Sequence, residues 1–289
     1  MSKAIPSPLA SVSWLNKHLR DKKLRVVDFR WYLQGKEGRT EYAAGHLPGA
    51  VFVDLEHDLT PAYGPGRHPA PSPEQFAEAM QAAGINDDTR VVIYDDAGGS
   101  IAARLWFLFE LYGHAGQSQV LDGGLQAWVA AGGELETNEP QPARGHFSVK
   151  SMRRSLLHKH DVERMRKAKD VLLLDARAAE RYRGDVEPVD ARPGHIPGAK
   201  NAPWSANLVD GRFKSPKELR AQYKKLGVTA KTQVVAYCGS GVTACHDLIA
   251  MELAGIPAKR VHLYEGSWSD WARDPFRPAT IGDEVKARR

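Results

Sequence analysis

Short apolar runs alternate with amphipathic stretches along most of the chain. Residues 26–28, 91–94 and 120–121 are apolar runs of the length that suits buried parallel strands. Residues 73–83 and 102–112, lying between them, carry apolar side chains at helical spacing. The same order then returns, with apolar runs at 171–174, 234–237 and 261–263 and helical spacing over 216–226 and 242–253. Strands alternating with helices predict an α/β fold in which each unit is a mostly parallel sheet flanked by helices.

The recurrence is a duplication. Asp28-Phe29-Arg30 returns as Asp175-Ala176-Arg177, and Gly45-His46-Leu47-Pro48-Gly49-Ala50 returns as Gly194-His195-Ile196-Pro197-Gly198-Ala199. From Tyr94 and Tyr237 through Trp128 and Trp271 the offset holds at 143 residues. A polar, proline-containing stretch, Glu139-Pro140-Gln141-Pro142-Ala143-Arg144-Gly145, reads as a linker. The predicted organisation is an N-terminal domain over 1–139, a linker over 140–155 and a C-terminal domain over 156–289.

Composition narrows the functions to consider. With 289 residues, 42% of them hydrophobic, two ordinary domains can each bury a core without disulfides or metals. The net charge of +5 is a mild excess that favours anionic partners weakly. Its densest clusters, Arg153-Arg154 and residues 286–289, read as solvated surface, and no nucleic-acid reader motif accompanies them. Cys238 and Cys245, the two cysteines, supply neither a disulfide framework nor a four-thiolate zinc site. No metal and no cofactor is therefore expected. The start of the chain lacks the apolar run of a signal peptide, and no apolar stretch approaches the roughly 18 residues of a membrane span. A reducing, cytoplasmic location without membrane contact is the expectation.

The duplication serves as an internal control, because what both copies share is structural first and what only one carries is a candidate for chemistry. The Gly-His-x-Pro-Gly-Ala segments read as turns leading into a strand, each with a hydrogen-bonded histidine, and the Asp28/Arg30 and Asp175/Arg177 pairs read as structural. The copies diverge at one strand end. Tyr94 is followed by Asp95-Asp96-Ala97-Gly98-Gly99-Ser100, whereas Tyr237 is followed by Cys238-Gly239-Ser240-Gly241-Val242-Thr243-Ala244. Ligands of α/β sheets bind beyond such strand ends. With two acids and no nucleophile there, the first copy is expected to repel anions and to be silent. In the second, two glycines let the backbone curl with its amides inward, and the following helix adds its positive end. Both effects favour a negative sulfur on Cys238, with Ser240 and Thr243 hydroxyls as further donors. Cys245, seven residues on, reads as a small buried residue of the helix, with a regulatory disulfide to Cys238 as the alternative.

These residues resemble the tandem rhodanese-type sulfurtransferases. The resemblance runs from about Leu19 to Pro278 and rests on the repeated Asp-x-Arg, Gly-His-x-Pro-Gly-Ala and Gly-x-x-x-x-Trp elements. The loop Cys-Gly-Ser-Gly-Val-Thr-Ala is similar to that of the 3-mercaptopyruvate enzymes, whereas thiosulfate-using relatives carry basic residues where this chain has Gly239 and Ser240. The resemblance implies sulfur transfer through a persulfide of Cys238, cradled by Gly239, Gly241, Val242 and Thr243. Its donor would be mercaptopyruvate, with thiosulfate as the alternative, and its acceptor a small thiol, cyanide or thioredoxin. It further implies that Arg181 holds the donor anion. Nine residues beyond Arg181, where such enzymes place a second arginine, stands Asp190, so Arg192 is the candidate replacement. A proton-handling triad would comprise Ser240, His46 and an acid, with Glu37 the candidate acid.

Two other classes are weighed. Phosphatases and arsenate reductases built on Cys-x5-Arg need an arginine where Ala244 stands. A non-catalytic regulatory rhodanese module ordinarily lacks the cysteine that this chain keeps.

Overall fold

A computed structural model describes residues 6–150 and 154–283. The basic cluster at 286–289 and Arg153 lie outside those residues. The described chain forms two compact units, Met1–Pro61 with Ala70–Arg154 and Asp210–Phe213, and Ala62–Pro69 with Ser155–Val209 and Lys214–Arg289. The contacts thus assign a short segment of the first half, Ala62–Pro69, to the second unit.

The strands in chain order are β1 (Leu9–Ala10), β2 (Leu24–Asp28), β3 (Val51–Phe52), β4 (Arg90–Tyr94), β5 (Ser118–Leu121), β6 (Leu156–Leu157), β7 (Val171–Asp175), β8 (Lys200–Asn201), β9 (Leu208–Val209), β10 (Arg212–Phe213), β11 (Gln233–Tyr237) and β12 (Val261–Tyr264). The first unit holds a five-stranded parallel sheet in the order β1-β5-β4-β2-β3, and the second repeats it as β6-β12-β11-β7-β8. The long apolar runs occupy the middle of each sheet, where both faces are covered. The two-residue edge strands were not anticipated, because so short a pairing leaves no periodicity to read.

Helix boundaries follow local chemistry. Pro73–Ala82 starts behind Ser72, whose hydroxyl accepts from the Gln75 amide at 3.2 Å, with proline in the first turn. Pro216–Leu226 starts with a Ser215/Glu218 capping box and ends at Gly227, whose φ of +102° places it in left-handed space. The helix expected over 242–253 begins two residues later, at Ala244–Leu253. Residues 239–243 remain loop, and that loop shapes the site. One composition-based expectation fails. Arg154 is buried rather than solvated, with Nε 3.6 Å from Glu110 and its guanidinium 5.1 Å from the Trp106 ring centroid.

The repeated histidine turns are structural in both units. His46 and His195 are fully buried, stack on Tyr42 and Tyr182 at 4.0 and 3.8 Å, and bond through Nδ1 to the carbonyls of those tyrosines at 2.9 and 2.8 Å. Arg30 and Arg177 likewise fork onto Asp28 and Asp175.

Candidate active site around Cys238

β11 lies between β7 and β12, and its last residue, Tyr237, pairs with Asp175. Cys238 follows directly and is 2% exposed. Its amide donates to the Ser267 hydroxyl at 3.1 Å, and its carbonyl accepts from the Trp268 amide at 2.9 Å. The Gly239 carbonyl accepts from the Ser269 amide, also at 2.9 Å. The first turn of helix Ser267–Arg273 therefore fastens the start of the loop. Ser267 sits at φ +52°, where its counterpart in the first unit is Gly124 at φ +56°. A serine tolerates this backbone only at a cost, and here its hydroxyl also donates to Tyr264 at 3.0 Å. Gly241, at φ +76°, turns the loop back toward the helix at Ala244. Cys245 is buried with Sγ 3.4 Å from the Gly241 carbonyl, and neither cysteine is in a disulfide.

The first unit closes the equivalent loop differently, with Gly98 and Gly99 both at positive φ where the second has only Gly241. Asp95 occupies the position of Cys238 and turns its carboxylate into its own loop. Oδ1 accepts from the amides of Ala97 and Gly99 at 2.9 and 2.8 Å, and Oδ2 from those of Ile101 and Ala102 at 2.8 Å each. Burial pushes this carboxyl up from its ordinary value, and each amide pulls it back toward the charged form. Asp95 therefore fills the amide cradle of the first unit with its own side chain. The positions equivalent to its four donors are Ser240, Val242, Ala244 and Cys245, of which the Cys245 amide already donates to the Val242 carbonyl at 3.1 Å.

The rhodanese-like domain model matches residues 11–131 and 158–274. The chain belongs to the rhodanese family. It is 42% identical, over 95% of its length and 98% of the relative's, to a probable 3-mercaptopyruvate sulfurtransferase of Pseudomonas aeruginosa. It is 41% identical, over 89% of its length and 90% of the relative's, to a putative thiosulfate sulfurtransferase of Mycobacterium tuberculosis. Its fold superposes on SseA from Escherichia coli, a 3-mercaptopyruvate enzyme, with a TM-score of 0.82 and 32% identity, covering 91% of this chain and all of that one.

In this rhodanese the anticipated residues divide. Gly239, Ser240, Gly241 and Val242 are buried beside Cys238, and Thr243 immediately precedes the helix. Arg181 reaches the same place, since its Nη1 lies 3.6 Å from where a side-chain carbon on Gly239 would stand. Its Nη2 donates to Glu187 at 2.6 Å and to Asp190 at 3.1 Å.

Arg192 is engaged at a helix end through Nε and Nη2. Its guanidinium is spent on the carbonyls of Ala272, Trp271, Asp274 and Arg277 at 3.1, 3.4, 2.9 and 2.7 Å, where it closes the end of helix Ser267–Arg273. His46 is also committed, with Nε2 on the Asn138 carbonyl at 3.2 Å and Nδ1 on Tyr42. Glu37 is exposed, accepts from Thr40 at 3.5 Å and caps no amide of its helix.

Two functional candidates were missed. His68 places Nδ1 2.7 Å from the Ser240 hydroxyl, both side chains being buried. Arg67 donates through Nη1 to Asp190. The signal was available as Gly64-Pro65-Gly66-Arg67-His68-Pro69, a glycine- and proline-rich loop carrying a cation and a titratable ring. Its counterpart in the second copy, Gly211-Arg212-Phe213 ahead of Ser215-Pro216, keeps the glycine and the cation but has phenylalanine where His68 stands.

Proposed function

We propose that this rhodanese moves sulfur from 3-mercaptopyruvate to a thiol or cyanide acceptor through a persulfide on Cys238. The observation that carries the reading is the paired strand end. One copy holds a carboxyl on four amides, and the other offers a thiol at the equivalent position. The names of the Pseudomonas aeruginosa and Escherichia coli relatives agree with it.

In the first half-reaction the Cys238 thiolate attacks the thiol sulfur of the donor. The new S–S bond forms as the C–S bond breaks, and the C–S electron pair goes to the methylene carbon as an enolate. The donor's thiol proton ends on that carbon, leaving pyruvate and Cys238–S–S⁻. The Ser240–His68 pair, whose serine is two residues beyond Cys238, handles this proton, the part expected of His46 from the sequence. Amides of the loop that follows Cys238 hold the persulfide's outer sulfur. In the second half-reaction cyanide takes the outer sulfur as thiocyanate and returns the thiolate, and a thiol acceptor such as thioredoxin takes it as a persulfide.

Thiosulfate is the second reading, favoured by the name of the Mycobacterium tuberculosis relative. The charge balance argues for the ketoacid. Glu187 and Asp190 offset part of the charge of Arg181 and Arg67, and Gly239 and Ser240 are uncharged, so the site suits the single carboxylate of a ketoacid better than a compact dianion. Two buried cysteines outside any disulfide fit a reducing compartment such as the cytoplasm, and among the described residues no helix is long and apolar enough to cross a membrane.

Intact mass measurement after mercaptopyruvate treatment should show one added sulfur, removed by cyanide and missing in Cys238→Ser. Wild type that gains no sulfur from mercaptopyruvate while gaining it from thiosulfate would replace the donor; no gain from either would end the mechanism.

A further inference from the structure

We infer that Arg67 binds the donor, its guanidinium and that of Arg181 forming a two-armed clamp for the donor's carboxylate, with Asp190 orienting both. The inference rests on the mercaptopyruvate reading above and adds a residue to it.

The geometry is convergent. Asp190 accepts from Arg67 through Oδ1 and from Arg181 through Oδ2, the latter at 3.1 Å. Its side chain is 3% exposed, as is that of Glu187, so both acids are built into the site and not solvated. They engage Nη1 of Arg67 and Nη2 of Arg181. The opposite arms, Nη2 of Arg67 and Nη1 of Arg181, come within 2.9 and 3.6 Å of one point, the place a side-chain carbon on Gly239 would take. That point adjoins Cys238. The Nε atoms of both arginines are buried without a hydrogen-bond partner. Two guanidinium groups with spare, converging donors beside a nucleophile ask for a planar anion such as a carboxylate.

The segment that carries Arg67 is itself fixed. The Arg67 amide donates to the Ser269 hydroxyl at 3.1 Å. Gly66 approaches so closely that a side chain there would meet the Gly266 carbonyl and Ser269 hydroxyl at 2.5 and 2.8 Å. Arg67 is thus anchored on the helix turn that also fastens Cys238, and its side chain is 25% exposed, leaving its working end reachable. The same contact accounts for glycine at 239, since any side chain there would displace the Arg67 arm.

The two half-reactions separate donor binding from loop integrity. Rapid-quench loading of Cys238 with mercaptopyruvate is measured in wild type, Arg67→Ala and Arg67→Lys, followed by discharge of the loaded enzyme with 2-mercaptoethanol, which carries no charge to clamp. Arg67→Ala should raise the donor concentration for half-maximal loading about tenfold or more. The maximal loading rate should stay within about threefold, and the discharge rate should not change. Arg67→Lys, which keeps the charge but not the fork, should fall between the two. An unchanged half-saturation in Arg67→Ala overturns the inference, as does a parallel slowing of loading and discharge, the mark of a merely structural role. Wild type that mercaptopyruvate cannot load sinks the donor reading itself and this inference with it.

Discussion

His68 Nδ1 and Ser240 Oγ stand 2.7 Å apart although 172 residues separate them in the chain. The hydroxyl belongs to the residue two beyond Cys238, and the ring is buried against it. A hydroxyl bonded to imidazole can pass a proton toward or away from the donor sulfur. His68→Asn should lower kcat for mercaptopyruvate about a hundredfold or more, the usual weight of a positioned acid–base group. Ser240→Ala should do so to a similar degree, and the double variant should lose little beyond either single one, because the two act as a unit. Steady-state kinetics of the three variants check this, and additive losses would show that the pair does not work together.

His46 and Arg192 should behave in the opposite way. Each serves main-chain carbonyls in a buried or half-buried setting: the ring of His46 lies between the Tyr42 and Asn138 carbonyls and has one N–H for them when neutral, and Nε and Nη2 of Arg192 share three N–H groups among four. Substitution leaves those carbonyls unpaired at about 1–3 kcal/mol each where water cannot replace the donor. His46→Leu and Arg192→Ala should therefore lower the melting temperature by several degrees and leave the KM of the surviving folded enzyme near that of wild type. A raised KM without loss of stability in Arg192→Ala would restore it as a donor ligand.

Much of this arrangement was legible in advance for a physical reason. Duplication keeps the residues that every copy of the fold needs, so Asp28/Asp175 and His46/His195 cancel, and Cys238 against Asp95 is left over. The six central strands and four long helices were readable because each is long enough to show a period. Arg67 and His68 were not, since alignment of the copies follows chain order while their segment packs with the other unit. Arg192 misled for a related reason. Its spacing from Arg181 could be counted, but the carbonyls that occupy it come from a helix end about 80 residues later, at 271–277.

Asp95 offers a test of the cradle that leaves the nucleophile untouched. Asp95→Ala removes the acceptor from four buried amides at once, so the first unit should be destabilised by about 3 kcal/mol or more. Asp95→Asn replaces one oxygen by an NH₂ that faces two donors and should cost nearly as much. Persulfide formation at Cys238 should persist in whatever fraction stays folded. Calorimetry together with mass measurement reads both, and an Asp95→Ala protein as stable as wild type would show that the amides do not depend on that charge.

Asp247 should make stability depend on pH in an unusual direction. It is fully buried in helix Ala244–Leu253, and burial pushes its carboxyl up to about 8, against the Asn207 amide at 2.6 Å and the Tyr223 hydroxyl at 3.3 Å, which favour the charged form. An unfolded aspartate titrates near 3.9. Between about pH 4 and pH 8 the native state therefore holds a proton that the unfolded chain has released, and stability falls as pH rises through that window. The neutral carboxyl's contribution is fully present below about pH 4 and is lost as pH passes about 8. Asp247→Asn keeps an oxygen for Asn207 and Tyr223 and cannot ionise. Its stability relative to wild type should therefore improve steadily from pH 5 to pH 8, by up to about 1.4 kcal/mol per pH unit. Urea unfolding of the two proteins at pH 5, 6, 7 and 8 measures this difference, and parallel stability curves would mean that Asp247 is already ionised in the fold at pH 5.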